Sequence, residues 1–119
     1  MTDDRDSGLD LLLDLDGITF IAAGVYWVSF VVKQVPPSPE RPHGLSYSLT
    51  LHDETGTRVV GFDNAHAAPA KRGRARPLMQ DHRHRLRTTR PYAYRDAATL
   101  LADFWAEVGA FLKEKGVLP

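Results

Sequence analysis

The chain contains no cysteine. Disulfide frameworks, cysteine-ligated zinc and thiol nucleophiles are therefore excluded. It also lacks any apolar run near the ~20 residues of a membrane-spanning helix. Leu11–Leu13 is too short for the hydrophobic core of a secretion signal, and residues 1–6 are acidic rather than basic. The expectation from these features is a cytoplasmic protein with no membrane partner. Glycine-rich phosphate loops are missing, because the nine glycines are scattered at turns. Missing too are a serine-centred nucleophile elbow, a His-Glu-x-x-His zinc motif, zinc-finger spacings and internal repeats.

Net charge is absent as well, with 15 Lys+Arg balanced by 15 Asp+Glu. A uniformly basic nucleic-acid binder is excluded by that balance, which also argues against a highly charged disordered chain. The zero nevertheless hides a division. Residues 1–16 carry Asp3, Asp4, Asp6, Asp10, Asp14 and Asp16 against Arg5 alone, a local −5. Residues 71–90 carry Lys71, Arg72, Arg74, Arg76, Arg83, Arg85, Arg87 and Arg90 against Asp81 alone, a local +7. A block this basic creates a positive potential whatever the total is. Two readings compete for it: a solvated loop or one paired internally with the acidic N-terminus, against a surface that meets a polyanion or an acidic partner.

At 43% hydrophobic and 119 residues, the chain suits one folded domain with a modest core. Residues 1–9 read as a flexible acidic tail, 10–116 as a single α+β domain, and 117–119 as a second tail. Leu9–Asp16 fits either a short strand or a turn of helix. Ile18–Ala22 and Val25–Val35 read as strands from their β-branched and aromatic content, the second placing Tyr26, Val28, Phe30 and Val32 on one face. Pro36, Pro37, Pro39 and Pro42 make an extended loop of residues 36–44. Leu45–His52 alternates cleanly, and Asp53–Gly56 turns it into a return strand, Thr57–Asp63. Residues 64–80 form an irregular basic loop. Asp81–Leu86 resumes the sheet, and Thr88–Pro91 reads as a break. Leu100, Leu101, Phe104, Trp105, Val108, Phe111 and Leu112 recur at helical spacing, with Asp96 as cap and Gly116 as stop. The expected architecture is α+β: an antiparallel meander of four to five strands with a C-terminal amphipathic helix on one face.

Two short strings could carry chemistry, Asp63-Asn64-Ala65-His66 and Asp81-His82-Arg83-His84. In an extended segment His82 and His84 share one face, with Arg83 and Arg85 on the other. Two imidazoles at that spacing can act as base and acid near neutral pH. They can also grip a metal, with His66 or a carboxylate as third ligand, so the choice of cofactor stays open. Arginines alongside suit a phosphodiester and the charge developing on it. The candidate catalytic residues are His82, His84, Asp81, Asp63 and Asn64. The candidate nucleic-acid contacts are Lys71, Arg72, Arg74, Arg76, Arg83, Arg85 and Arg87. Against this stands the plainer reading, since His-x-His occurs by chance in strands and Asp-Asn is an ordinary turn. His43 and His52 are expected at the surface.

With those two strings, the Ser46–His66 hairpin, Tyr92 and Tyr94 before the helix, and the helix core Leu100–Val108, residues 10–115 resemble the TumE family. These are small toxins of type II toxin–antitoxin modules. The resemblance implies a cytosolic toxin neutralised by a helix-turn-helix antitoxin. Combined with the residues above, it points to action on RNA or another nucleic acid by ribonuclease-like cleavage. The alternative is a binding module without chemistry, engaging nucleic acid or protein, or a homodimer paired through a sheet edge.

Overall fold

A computed structural model describes residues 8–39, 41–64 and 81–118. Along the chain come α1 (Leu9–Asp14), β1 (Thr19–Ala23), β2 (Tyr26–Gln34), β3 (Leu45–His52), β4 (Arg58–Asp63), β5 (His82–Arg85), β6 (Thr88–Pro91) and α2 (Ala97–Glu114). The strands form one antiparallel sheet in chain order, β1 to β6. The α+β architecture matches expectation, but the sheet has six strands rather than four or five. The extra strand is β6, the segment that reads as a break. Its Pro91 is compatible with a strand because β6 lies at the sheet edge, where a missing N–H leaves no ladder bond unmade. The link from β5 is only Leu86-Arg87, with Leu86 held in the left-handed region at φ 55° where glycine is the usual residue.

Alternation decides the two faces of the sheet. Val28, Phe30 and Val32 on β2 pair with Leu51, Leu49 and Tyr47 on β3, and Leu51 and Leu49 with Val60 and Phe62 on β4. All of these are essentially buried, and α2 covers them with Leu100, Phe104, Val108, Phe111 and Leu112. Phe104 meets Phe30 and Phe62 edge-on, at centroid distances of 5.7 and 6.1 Å. Asp96 caps the helix by accepting from the Thr99 N–H at 2.7 Å, and Gly116 closes it at φ 75°. The ambiguous Leu9–Asp16 stretch resolves as the short helix α1, whose Leu12 is fully buried against this core. Asp16 ties the following turn to β2, accepting from the Val32 N–H at 2.9 Å and from Lys33 Nζ at 2.7 Å. The proposed acidic tail falls, for residues 1–7, outside the described residues. So does the basic loop for residues 65–80.

Candidate functional site

The sheet face away from α2 carries the polar positions of the same strands. Register sets Gly61 opposite His84 and Asp63 opposite His82, with Thr89 of β6 opposite His84 in turn. Asp63 is nearly buried, and His82 and His84 are half-buried. The two imidazole centroids are 6.2 Å apart. His84 Nε2 lies 3.0 Å from Asp63 Oδ2, yet off the line of an aligned hydrogen bond, so the contact is mainly electrostatic. Its other nitrogen, Nδ1, is 3.1 Å from the Thr89 hydroxyl. A carboxylate beside Nε2 favours a proton there, which leaves Nδ1 as the acceptor. Burial holds the His84 pKa below the ordinary 6.5, with Asp63 pulling it up and Arg58 and His82 pushing it down. Burial is the largest of these influences, so His84 is a neutral base at physiological pH.

Arg58 joins this group from the start of β4, its Nη1 3.6 Å from Asp63 Oδ2. The path it follows exists because residue 61 is glycine. A Cβ there would sit 3.0 Å from Arg58 Cδ and 3.5 Å from Thr50 Cγ2. A glycine inside a strand marks close approach by another group, and here the group is the arginine stem. That glycine is the one signal in the sequence that could have exposed Arg58. Thr89 had none, lying in a segment that does not read as a strand.

The remaining candidates divide. Asn64 is buried and works on the backbone: its Oδ1 accepts from the Tyr47 N–H at 3.0 Å and its Nδ2 donates to the Leu45 carbonyl at 2.6 Å. Asp81 lies on the α2 side of the sheet, where its carboxylate accepts from the Tyr47 hydroxyl at 2.6 Å. Burial pushes the Asp81 pKa up, opposed first by that hydrogen bond and then by His43 and His82. Tyr47 thus grips both ends of the 65–80 connection. Neither Asn64 nor Asp81 shares an open surface with the histidines. His43 is exposed, as expected, with its ring 4.4 Å from Tyr94. His66, Lys71, Arg72, Arg74 and Arg76 lie outside the described residues. Among the described residues, no group of three or more His, Asp or Glu is placed to hold a metal.

Arg83 and Arg85 project toward α2, in register with Phe62 and Val60. Arg85 is partly neutralised, pairing closely with Glu114 and at 3.7 Å with Glu107, its guanidinium 5.8 Å from the Phe111 ring centre. Arg83 stands directly across from Arg90 on β6. No carboxylate among the described residues pairs with either. Like charges directly opposed on two strands weaken their pairing. Around this hairpin lies a recess of about 860 Å³, lined by Arg58, Arg83, Arg85, Arg87 and Arg90 with His84, against only Glu107 and Glu114. The cationic recess and the Asp63–His84 pair therefore meet at His84.

No helix of the described residues is long and apolar enough to cross a membrane. No curated protein and no solved structure matches the chain. The family model described as Toxin TumE matches residues 10–112, most of the chain and all eight elements but the first residue of α1 and the last two of α2. Matched over that length, the chain belongs to the TumE family of toxins.

Proposed function

We propose that this toxin acts on RNA by phosphodiester cleavage, using the open sheet face around His84. The observation that carries the reading is the meeting at His84 of a half-buried imidazole, held below its ordinary pKa, with an arginine-lined recess. In this scheme His84 Nδ1 accepts the proton of a ribose 2′-hydroxyl as its oxygen attacks phosphorus. His82, one ring away, gives a proton to the departing 5′-oxygen, leaving a 2′,3′-cyclic phosphate. Asp63 orients His84 and stabilises the imidazolium that forms, and Arg58 faces the charge growing on the phosphoryl oxygens. Arg87 holds a flanking phosphate at the β5–β6 turn, as do Lys71, Arg72, Arg74 and Arg76 of the connecting segment, while Arg83, Arg85 and Arg90, which face α2, meet the RNA strand where it passes round the sheet edge into the recess. Asn64 and Asp81 act as positioning residues, fixing the backbone on which Asp63 and His82 stand. No metal is needed for these steps, and a His66–His82–His84 metal site would replace the acid–base scheme. A toxin family implies an antitoxin partner. We assign it to a helix-turn-helix protein encoded beside this chain, acting with it in the cytoplasm.

The test is cleavage of labelled single-stranded RNA by the purified protein, with growth arrest on expression as a second readout. His84→Ala and Asp63→Ala should each abolish cleavage and arrest while leaving RNA binding in place. Binding should weaken steeply with salt, with a slope of about 0.7 per phosphate contact on a logarithmic plot. Full cleavage by the His82→Ala/His84→Ala double variant would overturn the acid–base scheme. A binding module without chemistry, favoured by an Arg83–Arg90 couple that no carboxylate among the described residues neutralises, predicts instead that arrest survives histidine loss and fails when Arg83 and Arg90 are replaced.

A further inference from the structure

The same open face carries an aromatic pair that the proposed chemistry does not use. Trp27 of β2 lies directly across from His52 of β3, which in turn lies across from Arg58 of β4. The Trp27 and His52 rings stack at a centroid distance of 4.1 Å and an interplanar angle of 13°. The imidazole is locked in place on both nitrogens, Nδ1 3.1 Å from the Gly56 carbonyl oxygen and Nε2 2.8 Å from the Thr50 hydroxyl. Both rings are half-buried, and the residue beyond Trp27, Ile21 of β1, is 68% exposed. A fixed aromatic pair on an open, polar sheet face is a stacking surface already ordered before anything binds.

Its position relative to His84 gives it a use. His52 and His84 are two strands apart and two residues out of line along β3, so about 12 Å separates them. Arg58 bridges that interval, reaching Asp63 from the position beside His52. A single strand whose phosphate sits by Arg58 and His84 carries its neighbouring bases toward β3 and β2. We infer that the Trp27–His52 pair is a nucleobase-stacking subsite, seating an unpaired base next to the phosphate handled at His84. The inference rests on the RNA reading above and deepens it, because it requires a single-stranded rather than a duplex target. Bases inside a duplex keep their faces covered, while splayed bases stack on aromatic side chains.

The test uses Trp105→Phe protein, in which Trp27 is the sole tryptophan reporter. The probe is a single-stranded 2′-O-methyl oligoribonucleotide, which lacks the nucleophilic hydroxyl and is not cleaved. Inorganic polyphosphate serves as the base-free comparison. Expected are quenching of Trp27 fluorescence by the oligonucleotide and none by polyphosphate, though both bind. Trp27→Ala should weaken oligonucleotide binding by roughly 5- to 150-fold, the range for loss of one stacked base, and leave polyphosphate affinity unchanged. Trp27→Phe, which keeps an aromatic plane, should retain most of the affinity, so a folding defect in the alanine variant does not decide the matter. Salt-sensitive oligonucleotide binding with Trp27 fluorescence unaltered would overturn the stacking subsite and leave the cleavage reading standing. No binding of the oligonucleotide at all would overturn both.

Discussion

Tyr47→Phe removes one oxygen from a site whose energetics are well defined. Tyr47 is 2% and Asp81 6% exposed, and the hydroxyl donates to the carboxylate at 2.6 Å. The phenyl ring still fills its place among the core residues, so no cavity opens. What is lost is the donor, leaving a buried carboxylate oxygen unsatisfied at a cost of about 1–3 kcal/mol at neutral pH. For a domain of this size that corresponds to a melting temperature lower by roughly 4–12 °C. The effect carries a pH signature. Burial raises the Asp81 pKa above the ordinary 3.8, and the Tyr47 hydrogen bond works in the opposite direction. A carboxyl with a raised folded pKa stabilises most below its unfolded pKa, and that contribution is lost as pH rises through the folded value. Removing the Tyr47 hydroxyl drives the folded pKa higher still. The destabilisation should therefore be full at pH 7 and shrink as acid protonates Asp81, which then needs no donor. Urea unfolding followed by tryptophan fluorescence at pH 7 and pH 4 measures both quantities. A loss below about 0.5 kcal/mol at pH 7, the ordinary scatter of surface substitutions, or an equal loss at the two pH values would refute this account of the Tyr47–Asp81 contact.

Gly61→Ala places a methyl 3.0 Å from Arg58 Cδ, so the arginine stem must give by a few tenths of an ångström, disturbing its 3.6 Å approach to Asp63. RNA cleavage should fall by roughly 10-fold or more while the unfolding midpoint moves little; unchanged activity would show that Arg58 is not needed where it lies. Because burial depresses the His84 pKa, the acid limb of the pH–activity curve should fall below pH 6.5, activity dropping only once His84 is protonated. Asp63→Asn removes an influence that raises this pKa, so residual activity in that variant should persist to lower pH; a limb displaced upward would contradict the assignment. Arg90→Glu relieves the like-charge pair with Arg83. It should stabilise the fold by about 0.5 kcal/mol in thermal melts while weakening RNA binding, and a variant that binds normally would remove Arg90 from the interface.

The parts of this fold legible in the sequence are those where one periodicity dominates. Leu45–His52 alternates without interruption and the α2 stripe repeats every three to four residues, and both elements lie where those patterns place them. The elements left ambiguous or missed depend on their neighbours. Thr88–Pro91 is a strand because Arg83 and His84 offer it a ladder, and no glycine announces the Leu86-Arg87 turn. In α1, too short to stand alone, Leu12 reaches a core formed by distant residues. The candidate site shows the same limit. The shared face of His82 and His84 follows from local alternation. So does their separation from Asp81, whereas the convergence of Arg58 on Asp63 depends on side-chain reach and on an irregularity in the β3–β4 register that spacing does not encode. Asp63 and Asn64 are adjacent in sequence and differ in every contact, because successive residues of an extended segment point to opposite sides.

Because Asp63 and His82 are ladder partners in register, the connection between β4 and β5 begins and ends at one place on the sheet. The ladder therefore sets the distance between the two halves of the site, and the length of the connection does not. Closing a flexible loop twice as long adds only about 0.6 kcal/mol of entropy, less than one good buried hydrogen bond. An insertion between residues 65 and 80 should therefore cost the fold little, with Tyr47 and the β4–β5 ladder still holding Asn64 and Asp81 in place.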